Sequence, residues 1–255
     1  MKHAHHSRYG TLLVAGFVLL IGCNDAPAGP DVGAVADDTP TTDGSTLDLF
    51  GFGGPSMDFA DLEVFFEFNS TDNDLGFQVF LDAEGWDIVQ ARDPAGKQIL
   101  DIRAKKALGA LGITELRFES AEPSPGEVLA LFSDGMYEFR GRTVEEAFTL
   151  GGLATLSTVL PDAPVFTNPL DGDGDVDPDN LVITWNAIGG LDGYEVIVAN
   201  EDAGVEIIAG LGPDATSLTV PSEFMEADSD YKAEILAIGM NGNKTITEIE
   251  FSTAD

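Results

Sequence analysis

Five aspartates fall within nine positions in Asp171-Gly172-Asp173-Gly174-Asp175-Val176-Asp177-Pro178-Asp179. Calcium takes about six to eight oxygen ligands, and acidic side chains spaced by glycine can curl round such an ion. A second oxygen-rich stretch, Asn69-Ser70-Thr71-Asp72-Asn73-Asp74, follows close on Glu67 and offers Asp72 and Asp74. Its short side chains suit one hard cation. They equally suit an Asx-turn, in which Asn and Asp accept from nearby backbone amides. A third candidate is the trio Glu115, Glu119 and Glu122. On a strand, Glu115 and Glu119 stand about 13 Å apart, beyond the roughly 5–9.5 Å between paired glycosidase carboxylates. Arg117 lies between them on the same face, so a solvated charge ladder accounts for them.

The aspartate run departs from an EF-hand loop. Asp171, Asp173 and Asp175 fill its first three ligand places, but Val176 stands where the turn glycine belongs and Val182 where the bidentate glutamate belongs. Two readings remain, a solvated loop between sandwich strands and a calcium loop built from Asp171, Asp173, Asp175, Asp177 and Asp179. Calcium is the one cofactor the sequence brings into view. Other chemistry is excluded by what is missing. The three histidines are His3, His5 and His6, and the one cysteine is Cys23. A mature chain starting at Cys23 has no histidine, which removes Ser–His and Cys–His nucleophilic pairs and zinc sites built on His or Cys. No catalytic residue is assigned.

Cys23 itself closes a secretion signal. Lys2 and Arg8 make a basic start, and Thr11 to Gly22 carries no charge. That apolar run is about 12 residues, against roughly 20 for a membrane-spanning helix, and it has the length of a signal-peptide core. Leu20-Ile21-Gly22-Cys23 resembles the bacterial lipobox. The resemblance implies diacylglyceryl transfer to the Cys23 thiol, cleavage before Cys23 and acylation of the new amino terminus. Two or more acyl chains give stable attachment where one gives only marginal binding. Asn24 stands where Asp signals inner-membrane retention in some proteobacteria, which points to the outer membrane of the cell envelope.

The formal charge is −33, and loss of Lys2 and Arg8 makes it −35. Such a surface repels nucleic acid and anionic headgroups. The expected partners are therefore the membrane through the lipid, and an envelope protein or polysaccharide, with no nucleic acid.

The elements that must position these groups are strands. After the signal at 1–22, residues 23–55 form an acidic tether rich in Asp, Pro, Gly, Thr and Ala, with little to bury and so flexible and disordered. Within it Leu47, Leu49, Phe50 and Phe52 are apolar enough to dock on the first domain. Residues 56–160 alternate: Leu62, Val64, Phe66 and Phe68 share one strand face. Phe77, Val79 and Leu81 do the same in the next strand. Asp93-Pro94-Ala95-Gly96 is a turn before a strand over 98–104, and Ile113 to Ser120 is another strand. Glu127 to Phe132 reads as a short helical turn, and 136–140 and 154–158 as further strands. Many short strands between Gly/Pro turns make a β-sandwich. Pro161-Asp162-Ala163-Pro164 reads as a hinge, and 163–255 as a second sandwich.

In that second part Leu181, Ile183 and Trp185 alternate, as do Tyr194, Val196 and Val198, and Tyr231, Ala233, Ile235 and Ala237. With Ser217-Leu218-Thr219-Val220 and a closing strand over 245–253, it resembles a fibronectin type III domain. The resemblance implies an immunoglobulin-like sandwich, with Trp185 on strand B, Tyr194 opening C, 217–220 as E, and Tyr231 as the F-strand tyrosine. Its hydroxyl is expected to bond backbone at the E–F corner. Phe224-Met225 departs from the leucine usual in that crossing. Asp134-Gly135-Met136-Tyr137 has a similar look, so Tyr137 is expected to hold a corner in the first sandwich. Leu111 to Leu116 and Glu119 to Pro123 resemble the amino-terminal module of secreted bacterial proteins that pair it with a fibronectin-like end. No activity follows from that likeness.

The expected fold class is all-β, two β-sandwich domains in tandem after a disordered tether, the second fibronectin type III/immunoglobulin-like. The expected function is a non-catalytic, membrane-anchored binding or scaffold role. The alternative is a calcium-dependent carbohydrate-active enzyme or its accessory binding module. Neither Trp86 nor Trp185 has an aromatic neighbour in sequence to make a sugar platform.

Overall fold

A computed structural model of the chain describes residues 55–145 and 148–255. The lipobox with Cys23, and Leu47, Leu49, Phe50 and Phe52 of the tether, lie outside the described residues. The first module runs β1 (Ser56–Asp58), β2 (Asp61–Asn69), β3 (Asp74–Arg92), β4 (Gln98–Arg103), α1 (Lys106–Leu111), β5 (Ile113–Glu119), α2 (Pro125–Leu131), β6 (Gly135–Thr143) and β7 (Thr149–Leu156). The second runs β8 (Phe166–Asn168), β9 (Val182–Trp185), β10 (Leu191–Asn200), β11 (Val205–Leu211), β12 (Ser217–Thr219), β13 (Asp230–Gly239) and β14 (Lys244–Ser252). The described chain is all-β apart from two short helices.

The 19-residue β3 organises the first module. Its first half pairs β2 and β5, and its second half pairs β4 and β6. The register breaks around Trp86, where the strand bends and the sheet folds over on itself. The two layers of this sandwich are thus one sheet sharing β3. Alternating side chains fill the space between them: Val64 and Phe66 from β2, Phe77, Val79 and Leu81 from β3, and Tyr137 and Phe139 from β6. Phe77 stacks on Phe132 at 4.2 Å and meets Phe66 edge-on at 6.2 Å. Asp93 closes the β3–β4 turn by accepting from the amides of Ala95 and Lys97. α1 was not foreseen. It ends at Gly112, whose φ of 88° suits glycine and whose absent Cβ would sit 2.8 Å from Gly85 Cα.

In the second module β8, β9 and β12 form one sheet, and β11, β10, β13 and β14 the other. In sandwich letters these are A-B-E against C′-C-F-G, the strand arrangement the resemblance implies. Trp185, Tyr194, Val196, Ile235 and Phe251 fill the core between the sheets. The hydroxyl of Tyr231 donates to Phe224 O (3.3 Å) and accepts from the Glu226 amide (2.7 Å), so the E–F corner is held as expected. The hydroxyl of Tyr137 donates to Ser133 O at 3.1 Å, a matching corner in the first module. β8 had no sequence assignment: three residues give too little alternation to read.

The modules do not meet at a hinge. Strand β14 pairs β2 in parallel, Lys244 with Glu67, Thr245 with Phe68 and Ile246 with Asn69. The four-stranded sheet of the second module therefore continues into β2, the first half of β3 and β5.

Candidate functional site: the seam and its carboxylates

The seam is built around Asn243, in the turn between β13 and β14. Its side chain has no exposed surface. The carbonyl oxygen accepts from the Phe66 amide at 2.8 Å. The amide nitrogen donates to Ser157 O at 2.7 Å and Val159 O at 2.8 Å. Asn241 also donates to Val159 O, and the hydroxyl of Thr245 donates to Pro161 O, each at 2.8 Å. These bonds fix residues 157–161, the stretch that leads into the Pro161–Pro164 segment read as a hinge. One side chain satisfies three backbone groups on two segments, and a buried polar group is tolerated only when so paired.

The hairpin after β2 extends the seam. Ser70 gives both its amide and its hydroxyl to Ile246 O, at 2.8 and 2.6 Å. The hydroxyl of Thr71 accepts from the Glu248 amide at 3.1 Å. Within the hairpin, Asn69 Oδ1 accepts from the amides of Thr71 and Asp72 at 2.9 and 3.2 Å, an Asx-turn. Asn73 takes the left-handed conformation with φ 57°. Asp72 is exposed and Asp74 half-buried, with Asp74 Oδ1 enclosed and unpartnered. Burial first, then the charges of Asp72 and Glu248, raises the Asp74 carboxyl above the usual range.

Beside the seam, on the face of β2, β3 and β5 away from the core, lies a carboxylate cluster. Register places Glu67 opposite Gly76, and Gln78 opposite Glu119. Glu119 lies over Gly76, where a Cβ would stand 2.5 Å from Glu119 Oε1. The buried Gln78 donates to the same oxygen. Glu119 is pushed up to about 8 by burial, by the charges of Glu122 and Glu67, and by a hydrogen bond shared with Glu122. Burial and the charge of Asp74 also raise Glu122. Glu67 is raised by burial, against the pull of Lys244, whose Nζ lies 3.8 Å away. Burial and mutual repulsion thus favour the protonated form within the Glu119–Glu122 pair. Carboxyls this close leave no room between them for the sugar that a paired-carboxylate glycosidase holds. Sequence spacing set Glu119 aside because its distance was measured to Glu115. The nearer partner is Glu122 of the same trio, three residues on and past the end of the strand.

The aspartate run lies elsewhere, across the loop from β8 to β9. Asp171 Oδ1 accepts from the Glu250 amide at 3.1 Å, and Asp173 Oδ2 from the Leu170 amide at 2.8 Å. Asp177 accepts from the Asp179 amide and from Asn180 Nδ2, each at 2.9 Å. The Asn180 bond, then the Asp179 amide, holds the Asp177 carboxyl below its usual range. The backbone pairs along the end of β14, with Val176 N on Ser252 O and Ser252 N on Asp173 O. A groove of about 500 Å³ opens along Asn168, Asp173, Asp175 and Asn180. Asp175 and Asp179 are exposed. Among the described residues no three acidic side chains converge in the way a metal site needs.

Trp185 and Trp86 are both buried, and neither forms an exposed platform.

No family model and no curated protein matches the chain. Solved structures similar to it include a two-domain fibronectin type III segment of chicken tenascin, at 12% identity and TM-score 0.30, covering 76% of this chain and 99% of that one. Fibronectin(III)-like modules of Clostridium thermocellum CbhA match at 10% identity and TM-score 0.33, covering 77% and 93%. The Clostridium perfringens spore cortex lytic enzyme SleM matches at 19% identity and TM-score 0.28. That match covers 36% of this chain and only 28% of the enzyme's length. The strand order and the two tyrosine corners described above carry the fold assignment.

Proposed function

We propose that this protein is a non-catalytic envelope lipoprotein, tethered through Cys23, whose two sandwiches act as one stiff body that presents a binding surface at the end of a flexible tether. The observation that carries the reading is the seam: Asn243 and the parallel pairing of β14 with β2 join the modules where a flexible linker would let them swing. Stiffness suits a spacer or scaffold. The lipobox supplies attachment, and the acidity of the chain keeps the body off an anionic surface. The raised carboxyls lie beside the seam, where burial and neighbouring charges hold them.

The anchor is tested by growing the producing cells with labelled fatty acid. The parent chain takes up label and fractionates with membranes, whereas Cys23→Ser takes up none. Equal labelling of both discards the anchor. Affinity purification of the lipidated protein from its own membranes then identifies what the body holds.

A further inference from the structure

Sheet edges offer unpaired backbone groups, and proteins blunt them with short strands, charges, proline, bulges or cover. Nearly every edge here is treated in one of these ways. Strand β14 is covered by β2 and the 70–71 hairpin. Strands β1, β8 and β12 have three residues each. Strand β4 carries Asp101 and Arg103, and β5 carries Glu115, Arg117 and Glu119. Strand β11, Val205-Glu206-Ile207-Ile208-Ala209-Gly210-Leu211, has only the least of these devices, the single charge of Glu206. It pairs β10 over seven consecutive residues with no register break, carries one charge, and has neither lysine nor proline. Among the described residues no other hydrogen bond reaches it. Val205 is 48% exposed, and a Cβ at Gly210 would meet nothing within 4 Å.

The charge around this edge selects its occupant. Residues 163–255 hold 19 acidic residues and two lysines. Lys232 is engaged by Glu234 and Glu248, at 3.0 and 2.5 Å, and Lys244 faces Glu67. Glu206 lies on the strand, Glu195 opposite Gly210, Glu201 and Asp202 in the turn before it, and Asp214 just after it. A second copy of so acidic a domain is repelled. We propose that the free edge of β11 is a strand-addition site for an extended, basic polypeptide segment with apolar residues at alternate positions. Main-chain hydrogen bonds supply the attachment, alternate apolar side chains extend the core face beside Ile207 and Leu211, and the basic ones, on the outer face with Ile208 and Gly210, meet Glu206 and Glu195. This deepens the binding reading above and rests on it, but it needs no lipid anchor.

The test uses the full-length chain in non-ionic detergent and a fluorescent probe peptide of about ten alternating valines and lysines. The peptide should bind saturably. Methylating its alternate backbone nitrogens along one edge should weaken binding at least about tenfold, because the charge stays and the ladder donors go. Ile208→Lys should weaken binding by a similar factor, while Leu153→Lys, the same charge change on exposed β7, should leave it within about twofold. No binding, equal binding of the methylated peptide, or self-association of the chain through β11 in place of peptide binding overturns the proposal. Fatty-acid labelling of Cys23 does not involve this edge, so the anchor and the edge fail separately.

Discussion

The aspartate loop at 171–179 and the carboxyls at Glu67, Glu119 and Glu122 have opposite fates. The loop is dense in charge, yet its carboxylates stay in solvent, and three of them cap backbone amides nearby. The second group is scattered over more than fifty residues and converges only because β2, β3 and β5 lie side by side. Burial, not density, decides how a carboxyl behaves: Asp177 is held low in water, and Glu119 is pushed up to about 8.

The largest expected effect lies on the seam side of this comparison. Asn243→Ala leaves the Phe66 amide and two carbonyls without their partner, and should cost roughly 2–4 kcal/mol in urea unfolding. A change below about 0.5 kcal/mol would show that water replaces the side chain and that the seam is weak.

The next effect is a pH dependence. The folded-state value of Glu119 lies above its ordinary 4.5, so its stabilising contribution is complete below about 4.5 and is lost as pH rises through about 8. Glu119→Gln keeps the uncharged form. It should match the parent near pH 5 and exceed it near pH 9, by on the order of 1 kcal/mol once solvent screening of a half-exposed group is allowed for. Parallel stability–pH curves for the two proteins would remove the proton from the account.

The smallest effects belong to the loop. Asp173→Ala should cost about 0.5–1 kcal/mol through the lost bond to the Leu170 amide. Melting temperature should follow ionic strength alike in calcium and magnesium, as screening requires. A saturable rise with calcium alone, lost in Asp173→Ala, would make the loop a site and invert the comparison.

Much of the second module was legible because its signals are local. Trp185, Tyr194 and Tyr231 mark strands B, C and F by alternation, and a tyrosine corner is a contact over a few residues. Tyr137 was legible for the same reason. The doubling of the first module's sheet was not, because the bend at Gly85-Trp86 sits inside a continuous 19-residue strand and a lone glycine marks a bulge without saying that the sheet folds over. The seam was hidden for a stronger reason. Asn243 lies in Asn241-Gly242-Asn243-Lys244, which reads as an ordinary hairpin turn, and its partners Phe66 and Ser157 are 177 and 86 residues away. Nothing local distinguishes an asparagine that faces water from one that holds two modules together.

The central claim is that the two modules are one body, and the chain carries a natural pair of reporters for it. Its two tryptophans, Trp86 and Trp185, are buried one in each core. With fluorotryptophan incorporated, fluorine NMR follows both through a urea titration of the full chain. The account predicts that the two native signals disappear at the same urea concentration in the parent and at different concentrations in Asn243→Ala. Separate midpoints in the parent would contradict it.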